Sequence, residues 1–151
     1  MSKNKVVYDK VFEFDFTGQV QVGPLSEAAL HKLFKDGRIA SHFLEQCIPL
    51  WFSDLTFVDK KGYDHEDSTG HKYDLKGFTV RGASYVPSKM LGAGRKINLV
   101  EVENHAKYIS YIFSDITNFP KVRIVFKTGK VMLKNFPSGK VKSNEIDKLF
   151  Q

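Results

Sequence analysis

The sequence predicts a single α+β domain, a mixed central sheet flanked by a few helices. Three observations carry this expectation. The chain has 151 residues, the size of one domain. It is 42% hydrophobic and 26% charged, and thirteen Phe, six Tyr and one Trp supply bulky core material, which argues against disorder. Segments rich in β-formers alternate with segments of helical character, and no repeat, low-complexity run or long linker interrupts them.

Taken in order, residues 6–16 (VVYDKVFEFDF) read as a strand. Residues 18–24 break it, and Ser26 caps a helix through Ala28, Leu30, Leu33 and Phe34 that ends at Asp36-Gly37. A second helix is expected from Ser41 through Phe43, Leu44 and Cys47, stopped near Pro49. Three strands follow as a meander, over 55–58, 63–67 and 71–78, separated by Lys60-Lys61-Gly62 and Ser68-Thr69-Gly70. Residues 79–98 form a polar, Gly-rich stretch long enough to suggest a functional loop. A short helix over 99–107 leads to strands over 108–113 and 122–126. A third strand is expected over 131–136 after the turn at Thr128-Gly129. Ser143 caps a last helix ending near Phe150, with Glu145 in its first turn.

Composition narrows the function classes. No apolar run reaches the roughly 20 residues of a membrane span, and the first five residues lack a signal-peptide core, so a cytoplasmic protein is expected. One cysteine, Cys47, excludes a disulfide framework and a Cys-rich zinc module, and it reads as a small buried hydrophobe. Net charge is +6. In residues 119–151 eight bases oppose two acids, a surplus equal to that of the whole chain, and residues 81–96 hold Arg81, Lys89, Arg95 and Lys96 with no acid. Such stretches suit a polyanion, nucleic acid first.

One segment carries chemistry: Asp64-His65-Glu66-Asp67-Ser68-Thr69-Gly70-His71-Lys72-Tyr73-Asp74-Leu75-Lys76. If Ser68-Thr69-Gly70 is a three-residue hairpin loop, then Asp67 faces His71, Glu66 faces Lys72, His65 faces Tyr73 and Asp64 lies opposite Asp74. The period of two places Asp64, Glu66, Lys72, Asp74 and Lys76 on one face, and turns Tyr73 and Leu75 to the core. Two carboxylates held this close bind a proton or a cation. Mg²⁺, which keeps several waters and takes one or two carboxylates, suits the pair. Lys76 then sits beside the metal, where an ammonium can orient water or offset charge on a phosphate. Asp67 is the rival first carboxylate. This register puts it on the opposite face, and a loop of different length would reverse that. Glu66 and Glu45 are accessory candidates, although a lone helical Glu is ordinarily exposed.

The segment resembles the active-site hairpin of the PD-(D/E)XK nuclease superfamily, and in particular that of small homodimeric type II restriction endonucleases. Asp64, Gly70, Tyr73, Asp74 and Lys76 match that pattern at its spacing over about the central third of the chain. No Pro precedes Asp64, and Asp replaces Glu at 74. The resemblance implies a restriction-endonuclease-like sheet and Mg²⁺-dependent cleavage of double-stranded DNA at a short specific site. It also implies a C2 homodimer. Residues 1–50 are then the expected dimer region, 55–136 the catalytic sheet and 143–150 the terminal helix. A junction-resolving or phage-type nuclease and a non-catalytic DNA-binding module are the alternatives.

In the nuclease reading, Arg81 and Arg95 are placed against guanine edges, and Lys89 and Lys96 against phosphates. Lys121, Lys127, Lys130 and Lys134 either edge a DNA cleft or guard strand edges. His65 and His71 read as surface histidines within reach of phosphate. Ser84, Ser88 and Ser110 have no evident base, which gives a serine hydrolase little support. Gly92-Ala93-Gly94 lacks the strand and the third Gly of a dinucleotide fingerprint.

Overall fold

Among the described residues, eight strands and five α-helices build the protein. The strands are β1 (Phe12–Asp15), β2 (Leu55–Lys60), β3 (Tyr63–Asp67), β4 (Lys72–Phe78), β5 (Ala83–Ser84), β6 (Ile109–Asp115), β7 (Lys121–Thr128) and β8 (Lys140–Val141). The helices are α1 (Glu27–Phe34), α2 (Gly37–Trp51), α3 (Leu99–Ala106), α4 (Gly129–Asn135) and α5 (Ile146–Leu149). The structure is a computed structural model describing residues 3–60, 62–92 and 94–151; Lys61, Ala93 and the side chain of Ser88, with the readings that fell on them, lie outside the described residues.

Six strands form a mixed sheet in the order β1-β7-β6-β4-β3-β2, while β5 and β8 pair separately. The expected α+β architecture is thus present. Every pairing in the large sheet is antiparallel except β4 with β6. Parallel neighbours need a long crossover, and residues 79–108 supply it, with β5 and α3 inside it. One face of the sheet buries Tyr73, Leu75, Ile112 and Phe126 against Leu44, Ile48 and Phe52 from the α2 side. The other buries Tyr111, Phe113 and Val125 against Tyr85, Val102, Met132 and Leu149. Among the described residues no helix is long and apolar enough to cross a membrane.

Several elements depart from expectation for identifiable reasons. The first strand is shorter, because Asp9 takes φ +63° and only Tyr8 bridges to Phe126 before the ladder begins at Phe12. Asp36 starts a helix as well as closing one: its N–H donates to the Leu33 carbonyl, and its carboxylate accepts the Arg38 N–H (2.9 Å), so α2 begins at Gly37. Nor does Pro49 stop α2, which runs to Trp51. Proline deprives the carbonyl four residues back of its donor. That carbonyl belongs to Glu45, and His65 Nε2 takes it at 2.8 Å.

Residues 131–136 are helical. Thr128 Oγ1 caps α4 by accepting the Val131 N–H (3.2 Å), and Met132 and Phe136, four apart, share the buried side. Ser143 does not cap the last helix. It opens a 3₁₀ turn (Ser143–Glu145) in which the Lys142 N–H donates to the Glu145 carboxylate (3.0 Å). The polar 79–98 stretch is anchored by the fully buried Tyr85 and Val86 and by Met90. Cys47 is only half-buried, and burial pushes its thiol up to about 11.

Candidate active site

Gly70 takes φ +83° in the turn between β3 and β4, where a side chain would be strained. His65 pairs with Tyr73, Glu66 with Lys72, and the Asp67 N–H donates to the His71 carbonyl (3.1 Å). This is the register read from the sequence. Past His65 the ladder gives way to a side chain: Asp64 Oδ2 accepts the Leu75 N–H at 3.0 Å. Asp64 is thereby tied to β4 beside Asp74.

Asp74 and Lys76, two apart on β4, share a face, and Lys76 Nζ lies 3.2 Å from Asp74 Oδ2. The same ammonium donates to the Val86 carbonyl (3.2 Å) in the crossover. Both residues are only 9% exposed. Burial pushes the Asp74 carboxyl up to about 7; Lys76 opposes the shift and Asp64 adds to it. The pair Asp64–Asp74 therefore carries unfavourable negative charge that a proton or a cation would relieve.

The hairpin forms the floor of a cleft of about 780 Å³. Asp64 and Asp74 line it together with Lys60, Tyr63 and Lys72. Pro87 and Lys89 of the crossover and Glu101, Asn104, His105 and Tyr108 of α3 and its C-terminal edge form the wall. Among the described residues no three His, Cys, Asp or Glu side chains converge as a metal-binding group. A divalent ion would rest on Asp64 and Asp74, a donor set that Mg²⁺ tolerates because water completes its shell.

Asp67 does not join them. Its carboxylate accepts from the Thr69 N–H (2.9 Å), the His71 N–H (3.1 Å) and the Tyr73 hydroxyl (3.2 Å), on the other side of the sheet from Asp74. Glu66 sits between Thr56 and Lys72 and does not line the cleft. Glu45 is not the exposed helical residue expected: its side chain is 14% exposed, and burial first, then Asp64, push its carboxyl up. It does not line the cleft.

Neither histidine of the hairpin is a surface group. His65 is fully buried against α2, with Nδ1 unpartnered, and burial pushes its imidazole down. His71 is half-buried, with Nε2 2.8 Å from Ser110 Oγ, so Ser110 does have a base beside it. Ser110 also bonds the Tyr8 hydroxyl (2.9 Å) and is 1% exposed, which makes the group a closed network. The Ser84 hydroxyl donates to the Gly139 carbonyl.

Of the four expected DNA contacts, only Lys89 lines the cleft, and it pairs with Glu101 at 3.3 Å. Arg95 reaches back to the Lys89 carbonyl (3.3 Å), Lys96 is exposed, and Arg81 is exposed near Asp36. Lys127 edges nothing: it is buried in an ion pair with Asp9 (2.8 Å). Lys121, Lys130 and Lys134 are exposed, the last two on α4.

The wall residues Glu101, Asn104, His105 and Tyr108 escaped the sequence reading. Their spacing of three, one and three is one face of a helix and was the available signal. Tyr111, opposite Asp74 in the parallel pairing, was also missed; its fully buried hydroxyl has no partner. No family model matches the chain, and no curated protein matches it.

Proposed function

We propose that the protein is a Mg²⁺-dependent endonuclease acting on double-stranded DNA, of the site-specific restriction type. The observation that carries this is the convergence of Asp64 and Asp74 at a lysine-rimmed cleft, with the Lys76 ammonium 3.2 Å from Asp74. Charge-poor pockets do not suit phosphodiesters, and this one pairs acids for a cation with bases for a phosphate. Asp64 and Asp74 would hold the ion, which when bound polarises the phosphate and lowers the pKa of its water. Asp64 is oriented by the Leu75 N–H, and Lys76 by the Val86 carbonyl, so neither depends on substrate for its position. Lys76 offsets negative charge gathering on the phosphoryl oxygens.

One cleft serves one strand, so cutting both strands of a symmetric site favours a C2 homodimer. The exposed Leu25, Leu33, Ile39 and Leu50 place apolar surface on residues 1–50, where the dimer contact was expected.

The test is incubation of plasmid DNA with and without Mg²⁺, followed by sequencing of the ends. Defined fragments with Mg²⁺ alone support the reading, and Asp64→Asn, Asp74→Asn and Lys76→Ala should each lower the rate by about a hundredfold or more. Cutting confined to a four-way junction supports the junction-resolving alternative. Unaltered DNA affinity with no cleavage in any condition supports a binding module.

A further inference from the structure

The cleft has a cationic side that hydrolysis at Asp64 and Asp74 leaves unused. Lys72 projects from β4 with its ammonium 4.9 Å from the Tyr63 ring centroid. Lys89 follows the buried segment Tyr85-Val86-Pro87 and reaches Glu101 on α3. Its side chain is 64% exposed and that of Glu101 49%, so this ion pair is solvated and weak. His105, one turn along α3 from Glu101, presents a buried Nε2 with no hydrogen-bond partner. Burial first, then Lys76, Lys89 and Lys72, push its imidazole down, and Lys72, Lys89 and His105 line the same cleft. An orphaned buried polar atom costs free energy. The ring lines the cleft together with Lys72 and Lys89, an environment that suits an anion.

We propose that Lys72, Lys89 and His105 form a subsite for a second backbone phosphate, next to the one hydrolysed, and that Glu101 occupies Lys89 until a strand enters. The identification of the anion as a nucleic-acid phosphate rests on the nuclease reading. A phosphate and a carboxylate are equivalent partners for an ammonium, so entry of the strand exchanges one for the other on Lys89. The neutral imidazole, in its Nε2–H tautomer, donates to the phosphate without carrying charge. The substrate so defined is a continuous strand, with at least one phosphate flanking the scissile bond.

The experiment is equilibrium binding of a duplex of about 20 base pairs to the full chain in EDTA, across a salt series. Each phosphate contact made by a lysine contributes about 0.9 to the slope of log K against log salt. Lys72→Gln and Lys89→Gln should each reduce that slope by about 0.9. Glu101→Gln should tighten binding about three- to tenfold, because it removes the competing anion. His105→Ala, or His105→Gln where the alanine variant folds poorly, should weaken binding about tenfold with the slope unchanged. An unchanged slope in either lysine variant, or an unchanged affinity in Glu101→Gln, overturns the proposal. Falling slopes in a chain that never cuts plasmid with Mg²⁺ would leave the subsite standing and remove the hydrolytic reading. Unmoved slopes in a chain whose cutting needs Asp74 would do the reverse, and a chain that does not bind duplex would remove both.

Discussion

Pro49 and His65 solve one problem together. Proline frees the Glu45 carbonyl inside α2, and His65 donates to it through Nε2, which leaves Nδ1 as a bare lone pair buried without a partner. Protonating that ring would put a second N–H where nothing accepts it. The folded-state pKa of His65 is accordingly lowered, so as pH falls below about 6.5 the unfolded chain takes up the proton first. Stability from this group is present above that pH and is lost below it, at a rate approaching about 1.4 kcal/mol per unit. Asp74 works in the opposite sense. With its carboxyl raised to about 7, the folded chain holds the proton longer, and stability falls as pH rises toward that value. Comparing His65→Leu with the parent isolates the histidine. Urea melts at pH 5, 6 and 7 should show a parent that weakens toward pH 5 more steeply than the variant. At pH 7 the variant should lie about 1–3 kcal/mol below the parent, because a buried carbonyl loses its donor.

The junction of α3 and α4 is built on one missing atom. A Cβ on Gly129 would lie 1.7 Å from the Ala106 carbonyl oxygen and 2.8 Å from that of Ile109, so backbone would have to move. Gly129→Ala should cost about 3 kcal/mol or more, read from denaturant midpoints. Gly70→Ala meets nothing within 4 Å and pays only for its positive φ, about 1 kcal/mol. The two glycines also mark where the sequence was legible. The hairpin register could be read because a three-residue turn and a period of two are local chemistry, and Gly70 announces the turn. Residues 131–136 misled because a hexapeptide with four apolar residues is too short to separate the two periods. What decides is the Thr128 cap and the contact of Gly129 with Ala106, and the second of these is invisible along the chain. Glu45 misled for the same reason: its side chain is covered where α2 packs against β2 and β4, strands distant along the chain. The floor of the cleft was therefore legible, whereas its wall depended on where a parallel crossover brings α3.

Across the whole molecule, the two sides of the sheet have separate duties. The α2 side is packed with aromatic rings, such as Trp51 stacked on Phe14 at 3.8 Å and Phe119 on Phe34 at 5.0 Å. The other side opens at the cleft. Under the proposed function, sedimentation should give a mass near twice 17.2 kDa. Charge substitution of Leu50, which is 68% exposed, should halve that mass and abolish double-strand cutting while sparing the single-chain melt. The crossover between β4 and β6 has a further consequence for redesign. Its last core anchor before α3 is Met90, and its next fixed points are Ile97, packed against the core, and Asn98, whose side chain accepts the Val100 and Glu101 N–H groups. Residues 91, 92 and 94–96 between them are exposed, and Arg95 donates to the Lys89 carbonyl. Under the proposed function, exchanging that span should alter sequence preference while leaving the rate of plasmid cleavage unchanged, measured by sequencing the ends.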